Sequence, residues 1–336
     1  MIAHLAYATG SPCPTLVLDA DTVPETESGL LEHLAAVRRH LDATGNGHVL
    51  KIALVRPSRH PMFDLEYRFV QALPGSVDAF DLRGSCGHSI LSSAVVAERM
   101  GMLPRLSVGA RVRVRVLNNG DSVVCEVDAV DRGAAQFTVH FVRTKAIPVT
   151  DLLITGEPRT MVAVDGELHE VSLVSSGNAY AFLDARTVGI KDPDALFAGG
   201  EELFDTLARI RAAVTDHLGW PPGGAFPKIA ALLPVEAGRI AARAISVPSW
   251  HPTIALTGAV CLGSAIRIPG TVPWRVAQEL GCPDSLEIIT SGGRTAVTAD
   301  VRDIAGTPTL SWASVDRKRV TFQGSIPLEP SASATL

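Results

Sequence analysis

Thr15-Leu-Val-Leu-Asp-Ala-Asp-Thr-Val23 returns later in the chain as Tyr180-Ala-Phe-Leu-Asp-Ala-Arg-Thr-Val188. Each stretch is a short apolar run, long enough for one strand, that closes on Leu-Asp-Ala-x-Thr-Val. One such match could arise by chance, so its weight depends on what surrounds it. Outward from the two copies, the same elements follow in the same order. An amphipathic helix comes first, over Ser28 to Leu41 with leucines at 30, 31, 34 and 41, and over Glu201 to Leu218 in the second copy. A buried strand is next: Lys51-Ile-Ala-Leu-Val-Arg-Pro57 corresponds to Lys228-Ile-Ala-Ala-Leu-Leu-Pro234. The fourth match is a helix, Ser89-Ile-Leu-Ser-Ser-Ala-Val-Val-Ala97 against Thr253-Ile-Ala-Leu-Thr-Gly-Ala-Val-Cys261. Four ordered matches indicate a duplicated unit.

The last helix of each copy is apolar or small on nearly every face, the pattern of a helix surrounded by protein. Strand-rich sequence follows each. Val112 to Val142 contains the hairpin signal Asn118-Asn119-Gly120-Asp121, and Leu286 to Ile326 contains Ser291-Gly292-Gly293. The expected class is α+β: two similar lobes, each a curved, mostly antiparallel sheet wrapped around a central helix. The seam is expected near Thr155-Gly156-Glu157-Pro158. This gives a first lobe over 1–155 and a second over 156–330, with the last strand able to cross back to the first. Residues 331–336 are small and polar and read as a flexible tail. Ligands favour interfaces between lobes, so a cleft there is the expected site.

At 336 residues the chain exceeds the size at which one core usually stops growing, and 46% hydrophobic with 19% charged residues supplies apolar surface for two. A net charge of −5 leaves no electrostatic footprint for a polyanion, so nucleic acid is not an expected partner. Arg111-Val-Arg-Val-Arg115 alternates with period 2 and reads as the solvated face of a strand. No apolar run is long enough to span a bilayer and no signal-peptide pattern opens the chain, so a cytoplasmic protein without a membrane partner is expected. Five cysteines, at 13, 86, 125, 261 and 282, show no paired metal-ligand spacing and read as reduced thiols, mostly packing residues.

The sharpest chemical signal is Arg83-Gly-Ser-Cys-Gly-His88, running into the first central helix. A thiol at a helix N-terminus meets unpaired N–H groups and the positive end of the dipole, which stabilise thiolate or a bound carboxylate. Gly84 and Gly87 allow close approach. Cys86 is therefore either functional or an inert buried thiol. The second central helix has no cysteine at its start, and Cys261 lies deeper, where packing is its expected role. Lys51 and Lys228 open matching apolar strands. Each is either a base or carboxylate-binding cation, or a lysine whose stem is buried and whose head reaches water. Ser89 and His251 could donate to an anion at the two helix starts or act as caps. Asn178, in Ser175-Ser-Gly-Asn178, either points its amide at a ligand or accepts a left-handed backbone. Rossmann, P-loop and serine-hydrolase glycine patterns are absent, and no nucleotide, flavin or metal cofactor is expected.

With the duplicated lobes, the Gly-Ser-Cys-Gly helix start and Lys51 in hand, the chain resembles the 2-methylaconitate cis-trans isomerase (PrpF) family, which shares the diaminopimelate epimerase fold. Lys51-Ile-Ala-Leu-Val-Arg-Pro, Asp64-Leu-Glu-Tyr-Arg-Phe69, Ser85-Cys-Gly-His88 and Ser176-Gly-Asn-Ala-Tyr-Ala-Phe182 carry the likeness. Pro227-Lys-Ile-Ala230, His251, Ile268-Pro-Gly-Thr271 and Arg319 add to it. The resemblance implies an isomerase that moves or rotates a carbon-carbon double bond in a small unsaturated carboxylate, without metal or organic cofactor. It implies Lys51 and Cys86 as the acid-base pair, with Ser85, Gly87, His88, Ser89, Asn178, Lys228, His251, Thr257 and Arg319 binding substrate. Two departures bear on the substrate. The family's basic Arg-Gly-Gly-Thr-Ser-Lys-Gly is replaced by Tyr7-Ala-Thr-Gly-Ser-Pro-Cys-Pro14, and Ser85 and His88 stand where the family has asparagine. Both imply a substrate unlike the usual tricarboxylate, less acidic or larger, from a specialised pathway.

The expected function is allylic proton transfer. Rival readings on the same fold are a racemase or epimerase, which the missing second helix-start thiol argues against, and a cyclase. A carboxylate-binding protein without chemistry is the reading from outside catalysis. The only partners expected are the substrate and, where the chain associates, a second copy in a homodimer.

Overall fold

A computed structural model describes residues 1–328 apart from 237, 247, 248 and 282, with residue 146 described by its backbone alone. Cys282 and the tail 331–336 lie outside the described residues. The chain divides into two compact units, Met1–Val139 with Arg317–Leu336, and His140–Asp316. Both are α+β and strand-rich.

Unit 1 contains β1 (Ile2–Ala8), β2 (Thr15–Asp19), α1 (Glu27–Ala43), β3 (Lys51–Pro57), β4 (Leu65–Ala72) and β5 (Phe80–Asp81), followed by α2 (Gly87–Arg99), β6 (Arg111–Val116) and β7 (Ser122–Asp131). The strand β8 (Ala134–Pro148) carries the chain out of it. Unit 2 contains β9 (Thr160–Val164), β10 (Glu167–Ser176), β11 (Asn178–Asp184), α3 (Pro193–Ala198), α4 (Glu201–His217), β12 (Lys228–Glu236), β13 (Arg239–Ser246) and β14 (Ser249–Trp250). It continues through α5 (Leu256–Ala265), α6 (Val272–Glu279), β15 (Ser285–Thr290) and β16 (Gly293–Ile304), and β17 (Thr307–Pro327) returns the chain to unit 1.

The repeated Leu-Asp-Ala-x-Thr-Val has one structural cause in both units. The aspartate ends its strand and its carboxylate accepts a backbone N–H two residues on, from Asp21 to Asp19 and from Arg186 to Asp184. The threonine hydroxyl then donates back to that aspartate's carbonyl, at 2.8 Å from Thr22 and 2.7 Å from Thr187. Together they fold the exit from the strand into a single 3-10 turn.

Pairing follows the same sequence in the two units. In unit 1, β1 is antiparallel to β2, β2 parallel to β3, β3 antiparallel to β4, β4 parallel to β6, and β6 antiparallel to β7. In unit 2 the corresponding run is β10, β11, β12, β13, β15 and β16. Even the register agrees: Thr15 lies opposite Lys51, and Tyr180 opposite Lys228. Antiparallel pairs predominate, but each unit has two parallel pairs. A helix-bearing crossover forces each of these, α1 and α4 between the first pairs, α2 and α5 with α6 between the second.

The amphipathic helices bury the faces their periodicity defined. Leu30, Leu34, Val37 and Leu41 of α1 pack with Leu16, Leu18, Ile52 and Leu54. Leu203, Leu207, Ile210 and Val214 of α4 pack with Ala181, Leu183, Ile229 and Ala231. In α2 every residue from Gly87 to Ala97 is buried, and in α5 every residue is. The arginines of β6 point to solvent as expected, paired with Glu126, Asp64 and Glu66.

Two expectations are corrected. The second buried helix begins at Leu256, not near Thr253. The division falls at Val139 rather than near Thr155, because residues 140–155 belong to unit 2. There Ile154 donates its N–H to Leu173 at 2.9 Å and packs on that unit's core, and Leu153 bridges Val174. No helix among the described residues is long and apolar enough to cross a membrane.

Candidate active site

In unit 1 the starts of β2, β3 and α2 converge. The Lys51 side chain is only 5% exposed, and its Nζ donates to Ser11 Oγ at 2.9 Å. Ser11 in turn donates its hydroxyl proton to the Cys13 carbonyl at 2.8 Å, which leaves the oxygen to accept from lysine. The loop between β1 and β2 therefore holds the Lys51 head.

Cys86 is the N-cap of α2, in extended backbone, and Gly87 is the first helical residue. The thiol stands where the unpaired N–H groups of a helix start collect positive potential. Its place is fixed from behind by Tyr67 of β4, whose buried hydroxyl donates to the Cys86 carbonyl at 3.2 Å. Burial pushes the Tyr67 phenol well above its usual range; the neighbouring Cys86 adds to this, and the Ser89 side chain and the Cys86 backbone oppose it. Ser89 also bonds Thr15 Oγ1 at 2.9 Å, so this serine ties α2 to β2. Ser85 and His88 are buried, at 2% and 0% exposure.

The structure also places a residue that the sequence left among the packing thiols. Cys13 is partly exposed, and its sulfur interacts electrostatically with both Lys51 and Cys86. Proximity across some 40 to 70 positions leaves no local sequence signal.

In unit 2, Asn178 opens β11 and donates its side-chain amide to Thr257 Oγ1 in the first turn of α5 at 2.9 Å. Both side chains are buried, which joins two residues read separately from sequence. His251 is 1% exposed, and its Nδ1 accepts the Thr253 N–H at 3.2 Å, so the tautomer with hydrogen on Nε2 is favoured. Lys228 is half-buried, with its ammonium over the Phe226 ring at 5.7 Å. Cys261 is a packing thiol: it donates to the Val174 carbonyl at 3.3 Å, and burial pushes it up to about 12, partly offset by the Ser176 backbone and Arg143. Burial likewise pushes Cys125 up to about 12.

The Arg319 carbonyl accepts the Thr9 N–H at 2.8 Å, in the loop that holds the Lys51 head. The Arg319 guanidinium is half exposed and pairs with Asp131 at 2.7 Å. Asp64, from the Asp-x-x-Tyr stretch, is taken up by the Arg113 side chain and backbone, at 2.7 to 3.0 Å. Desolvation raises its carboxyl, but those bonds outweigh it and hold the group below its usual range. Next to Arg319, Lys318 is 6% exposed, and burial lowers its ammonium to about 8.

Two curated relatives are isomerases. The chain is 26% identical over 294 residues to 3-methylitaconate isomerase of Eubacterium barkeri, across 75% of this chain and 77% of that protein. It is 25% identical over 315 residues to (4E)-oxalomesaconate Delta-isomerase of Novosphingobium sp. (strain KA1), across 83% and 84%. The crystal structure of a methylitaconate-delta-isomerase superposes with a TM-score of 0.66 over 100% of this chain and 99% of that one, at 21% identity, which shows a shared fold. The enzyme class read from the sequence, isomerase, stands. The family pattern described as PrpF protein matches residues 34–328, most of the chain, and the chain therefore belongs to the PrpF family.

Proposed function

We propose that this protein is a cofactor-independent isomerase that moves or rotates the double bond of a small unsaturated carboxylate by allylic proton transfer. Lys51 removes the proton, the charge spreads onto the conjugated carboxylate, and Cys86 returns a proton at the other end of the allylic system. The observation that carries this reading is the burial of the Lys51 head beside the start of a buried helix that bears a thiol, the two joined through Thr15 and Ser89. Such a helix start stabilises a carboxylate whose charge grows in the transition state. At the second helix start, the hydrogen-bonded pair Asn178 and Thr257 is suited to binding carboxylate, with the buried His251 in the segment before the helix and Lys228 as a cation on the neighbouring strand. Cys261, inside α5, donates to the Val174 carbonyl of β10, which counts against a racemase using one thiol from each helix.

The test is proton NMR of 3-methylitaconate, the substrate named for a curated relative, in deuterated water. The wild-type protein is expected to wash solvent deuterium into the allylic position and to form the isomer. Lys51→Ala should lower both by about 10²-fold or more. Unchanged turnover in that variant would remove Lys51 from the role of base.

A further inference from the structure

The loop between β1 and β2 brings a second thiol to this cluster. Cys13 lies two residues beyond Ser11, the residue that accepts from Lys51, and its carbonyl is the acceptor of the Ser11 hydroxyl. Through Ser11 the Cys13 backbone is thus two hydrogen bonds from the Lys51 head, and four groups act on its sulfur: the Lys51 head, the Cys86 thiol, and the backbone of Leu50 and Lys51. Three of the four stabilise negative charge on sulfur. Of the two thiols, Cys13 is the more open to solvent, for Cys86 is only 8% exposed. All these groups belong to unit 1.

We infer that Cys13 is a third acid-base group of this site and delivers the proton that completes the allylic transfer. The inference rests on the function proposed above and reassigns its second half. Lys51 as amine takes the allylic proton and becomes ammonium, while the C–H electron pair forms the new double bond. The old π pair moves into the carboxylate as a dienolate. That dienolate then takes the S–H proton of Cys13 at its far carbon, leaving a Cys13 thiolate beside the Lys51 ammonium and the two backbone N–H groups. Proton return from Lys51 to Cys13 closes the cycle with nothing consumed. Desolvation raises the Cys13 thiol above its usual range and Cys86 adds to this, while Lys51 and the Leu50 and Lys51 N–H groups oppose it. At neutral pH it is therefore a proton donor.

Two measurements on the full-length protein decide the matter. In deuterated water with 3-methylitaconate, Cys13→Ala should keep Lys51-dependent exchange into the substrate while isomer formation falls about 10²-fold. Cys13→Ser, which keeps a weaker donor, should lie between. Isomer formation at the wild-type rate in Cys13→Ala would overturn the inference and leave the proposed function standing. Absence of exchange in the wild type would instead count against that function. The second measurement needs no turnover: iodoacetamide alkylation of Cys13, followed by peptide mass spectrometry with and without the unsaturated dicarboxylate mesaconate. Mesaconate should slow alkylation of Cys13, and Lys51→Met should move its pH profile upward because the group that takes up the thiol proton and stabilises the thiolate is gone. A profile unmoved by Lys51→Met, with no protection by mesaconate, would overturn the inference.

Discussion

Lys318 lies between two exposed arginines, yet its own side chain is 6% exposed and burial holds its ammonium near 8. A lysine with a depressed folded pKa binds fewer protons in the native state than in the unfolded chain. Below about 8 both states are protonated and the full cost is present; between about 8 and 10.5 the native state has lost its proton and stability rises with pH. Lys318→Met should remove that dependence. It should be more stable than wild type at pH 7, by a margin of order 1–3 kcal/mol that shrinks towards pH 10. Urea unfolding at several pH values measures this, and parallel stability curves for the two proteins would refute it. The same contrast shows what could be read from the sequence at this scale. Lys51 was legible because it leads an otherwise apolar strand. Lys318 was not, because Asp316-Arg-Lys-Arg319 has the composition of a solvated turn, and the left-handed backbone of Arg317 shifts the strand's alternation so that Lys318 turns inward. Cys13 was illegible for another reason: a loop residue acquires its neighbours from tertiary structure alone.

The helices and strands that recur in the two units were read from periodicity, and most begin within a residue or two of where it placed them. The exception, α5, is instructive. Its three leading residues looked helical in pattern, but Pro252 and Thr253 are held in a loop by the β15–β16 turn. At Gly292 an added Cβ would lie 2.3 Å from the Pro252 carbonyl oxygen, so the turn packs directly on that loop. A close approach of the same kind sets α5 on its sheet. An added Cβ at Gly258 would meet the Tyr180 hydroxyl oxygen at 2.3 Å and the ring carbon that bears it at 2.5 Å. Gly258→Ala should therefore destabilise the protein by about 1–3 kcal/mol through overpacking. Tyr180→Phe removes the nearest atom, so the double variant should be more stable than the sum of the two single losses predicts. Simple additivity in thermal unfolding would show that the tyrosine hydroxyl is not what confines the helix.

At the level of the whole chain, the duplication was visible in the order of the elements, whereas the boundaries of the units were not. Both crossings take place inside strands. The division at Val139 lies within β8, where alternation continues, and the one at Asp316 within β17, where alternation shifts at the left-handed Arg317 with no glycine or proline to mark it. The seam inferred near Thr155 instead marked the end of a strand-rich block, a local feature that says nothing about which core its residues join. The final strand makes the consequence testable. Ile2 to Ala8 pairs with Val320 to Pro327, and Leu328, 5% exposed, donates its N–H to the Met1 carbonyl and packs in the core of unit 1 with Leu16, Leu30 and Ile52. The end of the described chain is thus part of the sheet that its beginning starts. Leu328→Ala should leave a cavity there and cost about 2–5 kcal/mol. By peptide-resolved hydrogen exchange, amides of β1, β2 and β3 should lose protection first, because local stability follows the core a strand belongs to rather than distance along the chain. If β10 to β12 lost protection as early as β1, Leu328 would be acting on both cores together, and the assignment of this last segment to unit 1 would not explain its stability.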